Sequence, residues 1–194
     1  MQASLDIAFK EWAVVVDALG SGEQLLILRK GGIREDSGAF QADHSRFWLF
    51  PTLYHEVERS IIPSKRPALA EIASRQTPGA VDIEFLAVAD PVWHITDPAV
   101  LSRLQGRHIW GEQVLRQRFE FGREPGLHAL VTRVYRLASP QRFALRDSYG
   151  GCKSWVQLER PITAEVTPVL TDTEFAAQRD ALCELIEEHA LAHP

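Results

Sequence analysis

Two short apolar runs lie near the N-terminus on either side of a glycine-containing turn. The first run, Glu11–Leu19, is rich in valine, and the second run, Gln24–Leu28, follows the triplet Gly20-Ser21-Gly22. Valine favours extended backbone and glycine supplies turn conformations, so this pattern predicts an N-terminal β-hairpin. Two consecutive glycines then end the second strand, and the polar segment 33–43 is expected to form a loop.

The following segments alternate irregularly between strand and helix patterns. Aromatic residues dominate Arg46–Pro51, which predicts a buried strand, and prolines divide the helical pattern that extends over residues 52–77. Apolar alternation and β-branched residues predict further strands, whereas a proline that follows a capping residue predicts one more short helix. These strands are Val81–Ala89, Leu127–Leu137 and Trp155–Leu158, the helix begins at Asp97-Pro98, and Glu112–Phe121 fits either a helix or a strand.

The last predicted element is a C-terminal amphipathic helix. Residues 171–174 read Thr-Asp-Thr-Glu, the pattern of a capping box. Phe175, Leu182, Leu185 and Ile186 then follow at helical spacing and form an apolar stripe. The helix is expected to extend to about residue 190.

Together these elements predict one mixed α+β domain over residues 1–194. We expect an N-terminal β-hairpin, mostly antiparallel central strands, several short helices and the C-terminal amphipathic helix. The β-rich parts lie near 11–50 and 81–158, and the helical parts are 52–77 and 171–190. A chain of 194 residues can bury a core without metals or disulfides.

Composition narrows the class of protein and its location. Hydrophobic residues make up 45% and charged residues 24% of the chain, as in ordinary globular domains. The N-terminus carries acidic residues where a signal peptide has basic ones, and no apolar run approaches the roughly 20 residues of a membrane span. The two cysteines lack the spacing of a metal site. We therefore expect a cytoplasmic protein with no membrane partner.

Charge is distributed unevenly along the chain. The net charge is −5, yet residues 101–160 hold 11 Lys/Arg against 5 Asp/Glu, and residues 161–194 hold 1 against 7. A basic block of this kind is typical of proteins with an anionic partner such as nucleic acid. The alternative is that the acidic C-terminal helix neutralises the basic block within one fold.

The chain lacks the familiar catalytic and metal-binding motifs. Gly150–Ser154 combines glycines with a lysine but does not have the spacing of a phosphate-binding loop. Asp82 and Glu84 lie on one face of a predicted strand without the lysine of a restriction-type nuclease. His189 and His193 lack a third ligand nearby. We therefore expect no metal and no cofactor.

A first polar cluster surrounds the aromatic run. Guanidinium and ammonium groups bind anions, and loops at strand ends commonly carry functional groups. His55 and Glu56 are its weak candidates for general acid–base catalysis. Its anion-binding candidates are Arg29, Lys30, Arg34 and Arg46, with His44 and Tyr54 beside them. The alternative is a surface loop with ordinary ion pairs.

A second polar cluster is a glycine-containing turn that carries hydroxyls, a thiol, a lysine and two aromatic rings. Lys153 is its anion-binding candidate, and its other candidates are Tyr149, Cys152, Ser154 and Trp155. The alternative is a tight β-turn with a packed tryptophan. The sequence leaves open whether the two clusters meet in space.

Both clusters fall within motifs that resemble a known family. The stretches FKEWAVVVDALGSGEQLLILRKGGI, DHSRFWLFPTLYHE, GLHALVTRVYRL and DSYGGCKSWVQL are similar to the bacterial family called domain of unknown function 1802. The family has no established activity, and some members accompany a restriction-endonuclease-like domain. The resemblance therefore implies a bacterial protein in a context of DNA defence or processing.

The sequence supports three hypotheses about function. The first is a nucleic-acid-associated accessory protein that binds phosphates through the arginine-rich central block, with aromatic rings as stacking groups. The second is an enzyme that acts on a small phosphorylated or nucleotide substrate. The third is a non-catalytic module that binds a protein partner or a second copy of itself through the C-terminal helix.

Overall fold

The computed structural model describes residues 1–30, 44–53, 58–151 and 153–190. Its strands and helices follow one another along the chain as β1 (Gln2–Trp12), α1 (Ala13–Gly20), β2 (Leu26–Arg29), β3 (Arg46–Thr52), the 3-10 helices Glu58–Ser60 and Pro63–Lys65, α2 (Arg66–Ser74), β4 (Ala80–Ile95), α3 (Pro98–Arg103), α4 (Glu112–Glu120), β5 (Leu127–Ala144), the 3-10 helix Asp147–Tyr149, β6 (Trp155–Pro168) and α5 (Asp172–Ala190).

The strands form one mixed sheet in the order β2-β5-β4-β3-β1-β6. Neighbouring strands are antiparallel except for β1 and β3, which run parallel. The far end of β6 also pairs with β5, where Leu137 lies opposite Val166. The strands from β5 to β6 therefore close into a ring, and the sheet is strongly curved.

Side chains on the two faces of the sheet enter two different cores. In β3, Phe47 and Leu49 pack with helical residues on one face, whereas Trp48 and Phe50 pack with the strands of the ring on the other. Successive side chains of a strand point to opposite faces, so both faces of β3 are buried. This explains why its sequence is continuously apolar.

The predicted class, a single α+β domain with a C-terminal helix, is confirmed. Helix α5 begins with the predicted capping box, in which the Glu174 N–H donates to the Thr171 hydroxyl at 3.2 Å and the Glu174 carboxylate accepts from the Thr171 N–H at 2.9 Å. Phe175, Leu182 and Ile186 are buried in the core. Among the described residues, no helix is both long and apolar enough to cross a membrane.

The predicted N-terminal hairpin is wrong. The valine-rich run enters helix α1 at Ala13, and β1 lies before it, beginning already at Gln2. Because β1 and β3 are parallel, the chain must cross over between them, and α1 lies in that connection. All its residues except Asp17 are buried, so the run shows neither the polar face of an amphipathic helix nor strand alternation. The ambiguous segment near residue 112 is helix α4.

Candidate functional site

Arg29 brings the two predicted clusters into contact. It ends strand β2, and its Nη2 donates to the Ser154 hydroxyl at 3.1 Å, directly before β6. Its guanidinium also lies over the Phe9 ring, 4.9 Å from the ring centroid. Because β2 and β6 are the two end strands of the sheet order, this contact depends on the curvature of the sheet.

Trp155 extends this contact with an aromatic surface. Its ring packs edge-on against Phe9 at 4.7 Å, Phe47 at 5.1 Å and His44 at 5.2 Å between ring centroids. Trp155 is half-buried and His44 is exposed, so the outer part of this aromatic group faces solvent. The Trp155 indole Nε1 is buried and has no hydrogen-bond partner among the described residues.

A buried carboxylate lies beside the Arg29 guanidinium. Glu11 is only 1% exposed, and its Oε1 accepts from the Trp12 N–H at 2.8 Å and lies 3.7 Å from Nη1 of Arg29. Its Oε2 is buried and accepts no hydrogen bond within the part of the chain that the structure describes. Glu11 follows Phe9 by two positions on β1, which places both on the same face of the strand.

A second guanidinium comes from helix α4. Arg118 lies over the Trp110 ring at 3.9 Å and over the Trp12 ring at 5.2 Å, and the two indoles pack edge-on at 4.7 Å. Burial lowers the pKa of Arg118, the Glu11 carboxylate opposes that shift, and the Arg29 charge adds to it. The Arg118 guanidinium is therefore close enough to Glu11 and Arg29 for both charges to change its pKa.

We refer to this group as the Arg29 cluster. It combines two guanidinium groups, one buried carboxylate, a hydroxyl and four aromatic rings, and two of its indoles are half-exposed. Its members are Phe9, Glu11, Trp12, Arg29, Trp110, Arg118, Ser154 and Trp155. Sequence reasoning missed Glu11, Trp12 and Arg118. For Glu11 and Trp12, the sequence signal was that a glutamate and a tryptophan stand together at the start of an apolar run.

The other predicted anion-binding cations that the structure describes are Lys30, Arg46 and Lys153, and each has different contacts from Arg29. The Lys30 ammonium donates to three backbone carbonyls, those of Phe119 at 3.0 Å, Gly126 at 3.1 Å and Glu124. Arg46 is exposed at the start of β3, where it lies 3.8 Å from the sulfur of Met1. Lys153 is exposed next to Ser154. Only Arg29 and Lys153 of the predicted cations therefore lie at the junction of the two clusters in the described part of the chain.

Tyr149 has a packing role in the second cluster. It is buried, its ring lies 5.5 Å from that of Phe50, and its hydroxyl accepts from the Glu159 N–H at 3.1 Å. Lys10 holds the same turn by donating to the carbonyls of Tyr149 at 2.7 Å and Gly151 at 2.8 Å. The turn is thus fixed against β1.

Five predicted site residues lie outside the described residues: Arg34, Tyr54, His55, Glu56 and Cys152. Both candidates for acid–base catalysis are among them. Within the described ranges, no group of three or more His, Cys, Asp or Glu is arranged to hold a metal ion.

Among the described residues, four of the eleven Lys/Arg in the basic central block form ion pairs with neighbouring carboxylates. The Arg142 guanidinium binds both oxygens of Asp82, at 2.8 and 2.7 Å, and these bonds hold the pKa of that carboxyl below its usual range. One of the ion pairs, Arg133–Asp172, joins the block to helix α5. The pairs are Arg116–Glu112, Arg133–Asp172, Arg142–Asp82 and Arg146–Glu159.

Comparison with known proteins identifies a family and a weak structural likeness. The family model "Domain of unknown function (DUF1802)" matches residues 8–181. No curated protein matches the chain. The crystal structure of ASCH from Zymomonas mobilis is 15% identical, covers 91% of this chain and 94% of its own, and has a TM-score of 0.47. Crystal structures of two single-residue mutants of that protein give 17% and 14% identity and TM-scores of 0.44 and 0.45, with 91% of this chain and 96% and 94% of theirs covered. Sequence identities and TM-scores this low support no inference about a ligand.

Proposed function

The chain belongs to the DUF1802 family, whose function is unknown, and from the geometry of the Arg29 cluster we propose that it binds single-stranded nucleic acid. The observation that carries the proposal is the contact of Arg29 with Ser154. That contact places a guanidinium beside the half-exposed Trp155, and Arg118 lies beside the half-exposed Trp12.

The chemistry of the cluster suits a ligand that has both bases and phosphates. Exposed indole faces stack on nucleobases, and each such contact contributes about 1–3 kcal/mol. The cluster carries two guanidiniums against one carboxylate, so it retains an excess of positive charge for a phosphate. Lys153, exposed next to Ser154, adds a further cation at the same edge.

A single strand fits this surface better than a duplex. In a duplex the base faces are stacked on one another and are unavailable to an indole, whereas unpaired bases can be splayed onto a protein ring. Duplex binding without base stacking relies on many phosphate contacts. In the described part of the chain, four arginines of the basic block are already paired with carboxylates.

The family resemblance supports a context of DNA defence or processing, in which the chain acts as an accessory protein. Single-stranded DNA is therefore the first ligand to test, and single-stranded RNA of the same sequence is the comparison.

The test is fluorescence anisotropy with labelled oligonucleotides of about 12 nucleotides, single-stranded and duplex. We expect single strands to bind more tightly than the duplex, with an affinity that falls as salt rises from about 50 to 200 mM. Trp155→Ala should weaken binding about 5- to 150-fold, which corresponds to one lost stacking contact of about 1–3 kcal/mol.

The matched control is Arg142→Ala, which removes an arginine of the basic block that lies outside the Arg29 cluster and is paired with Asp82. This variant should bind as the unmodified protein does. Absence of salt-dependent binding to every oligonucleotide, or an equal loss in Arg142→Ala and Trp155→Ala, contradicts the proposal. Thermal unfolding of each variant establishes that it is folded.

A further inference from the structure

A cleft of about 290 Å³ lies between the segments 59–66 and 105–114. Its walls are joined by backbone hydrogen bonds. The Ile62 N–H donates to the Ile109 carbonyl at 2.9 Å, and the Gly111 N–H donates to the Ser60 carbonyl at 2.9 Å. An isolated β-bridge pairs Ile61 with Trp110. The cleft therefore has defined walls.

The cleft is lined by buried polar side chains that lack partners. His108 is 5% exposed and Trp110 is 1% exposed. Among the described residues, neither Nε1 of Trp110 nor Nε of Arg66 has a hydrogen-bond partner. Each buried polar group without a partner costs about 1–3 kcal/mol. Two such side chains, and the buried imidazole of His108, form part of the wall of this one cleft.

The charge around this cleft is positive. Arg59 is exposed and Arg66 half-buried at its rim, and neither takes part in an ion pair with a described residue. The one carboxylate in the lining, Glu112, is paired with Arg116 at 3.3 Å. Two guanidiniums without carboxylate partners are suited to an oxyanion, which they bind through paired N–H donors.

The buried histidine is neutral at physiological pH. Burial lowers the pKa of His108 to about 4, while hydrogen bonds with the backbone of Trp110 and of His108 itself oppose the shift. A neutral imidazole has one N–H donor and one acceptor nitrogen. The imidazole and the indole of Trp110 therefore line the cleft as uncharged side chains and are more deeply buried than Arg59 and Arg66.

We propose that this cleft binds a small metabolite that carries an oxyanion, either a phosphate monoester or a carboxylate, on a compact apolar body. Arg59 and Arg66 bind the oxyanion at the rim. Ile61, Pro63 and Val114 contact the apolar body. The volume lies at the lower limit of ordinary ligand pockets, about 300 Å³, which restricts the ligand to a small molecule. The site does not depend on the proposed binding of nucleic acid.

The probes are inorganic phosphate, phenyl phosphate, phenylacetate and the uncharged benzyl alcohol, each titrated into the full chain. The readouts are thermal unfolding and the NMR resonance of the Trp110 indole N–H, assigned with Trp110→Phe. We expect phenyl phosphate or phenylacetate to raise the unfolding temperature and to shift this resonance saturably, and benzyl alcohol to do neither. Preference between the two anions identifies the oxyanion.

Arg66→Met and the milder Arg59→Met, at an exposed position, should each weaken binding by about tenfold, equivalent to about 1.4 kcal/mol. Arg142→Ala, remote from the cleft, is the matched control and should bind normally. The proposal is overturned if neither anion shifts the Trp110 resonance, or if Arg59→Met and Arg66→Met both bind as tightly as the control. Trp110 belongs to both sites, so the Arg29 cluster is distinguished by Arg59 and Arg66, which lie outside it: an anion bound at the Arg29 cluster would not be lost in Arg59→Met and Arg66→Met.

Discussion

Replacing Glu11 by glutamine tests the electrostatics of the Arg29 cluster. Glu11 is 1% exposed, and its Oε1 lies 3.7 Å from Nη1 of Arg29. Arg118 also responds to its charge. Glu11→Gln keeps the size of the side chain and an oxygen that accepts from the Trp12 N–H, but it removes the negative charge.

The expected loss of stability follows from the geometry. Two unit charges 3.7 Å apart attract by about 4 kcal/mol at an effective dielectric constant of roughly 20. Solvent weakens the pair because the Arg29 side chain is 21% exposed, and removing a buried charge offsets part of the loss, although the glutamine NH2 then takes the place of the partnerless Oε2. We expect a net loss of about 2–4 kcal/mol, or a fall in unfolding temperature of about 4–16 °C for a chain of this size.

The same substitution should strengthen binding of nucleic acid. Glu11→Gln raises the net charge of the Arg29 cluster by one, so a phosphate meets two guanidiniums with no competing carboxylate among the described residues. Stability and affinity are therefore expected to change in opposite directions. A variant that is merely misfolded loses both.

Urea unfolding measures the stability, with Glu23→Gln as the matched control. Glu23 is 43% exposed and pairs with Lys65 at the surface. Its replacement should cost less than about 1 kcal/mol. The reasoning is refuted if Glu11→Gln costs no more than Glu23→Gln, since the Glu11 charge would then not contribute to the stability of the fold.

Three further substitutions test the packing, the pH dependence and the role of a predicted cation. In Gly20→Ala the new Cβ lies 2.3 Å from Cζ of Phe85, so thermal unfolding should show a loss of about 1–3 kcal/mol that Phe85→Leu partly restores. An unchanged stability contradicts this close approach. The pKa of His108 is lowered to about 4, below its unfolded value of about 6.5. The unfolded chain therefore binds more protons between these values, and stability should fall by about 2 kcal/mol from His108 alone as the pH drops from 7 to 5. His108→Gln should weaken this dependence of stability on pH. If the slope between pH 7 and 5 is unchanged, His108 is not its cause. Lys30→Met removes donors from three carbonyls and should cost about 2 kcal/mol in urea unfolding without changing affinity for single strands. An affinity loss equal to that of Trp155→Ala would place Lys30 in the ligand site.

The elements that could be predicted from the sequence are those defined by local pattern. The capping box and apolar stripe of α5 are contained within its own residues, and the continuous apolar run of β3 reflects burial on both faces. Helix α1 could not be predicted in this way. Because α1 is buried on nearly every side, its sequence has no polar face that repeats at helical spacing. The strand preference of valine therefore predicted a strand where the structure has a helix.

The candidate site could be predicted only in part. Arg29, Ser154 and Trp155 belong to segments that the sequence marked as candidates, but their contact joins the two end strands of a curved sheet. Curvature and register depend on pairings between residues far apart in the chain, which local patterns do not report. Glu11 and Trp12 were hidden because they stand at the boundary of β1 and α1, inside the wrongly predicted hairpin.

The most direct test of single-strand binding at the Arg29 cluster is an NMR titration of the five tryptophan indole N–H resonances with a single-stranded oligonucleotide. Trp155 and Trp12 should shift saturably with the same affinity. Trp48 should not shift, because it is fully buried in the other core, where its indole N–H donates to the Leu5 carbonyl at 3.0 Å. Binding that leaves Trp155 and Trp12 unshifted, or no binding at low salt, would contradict the proposed function.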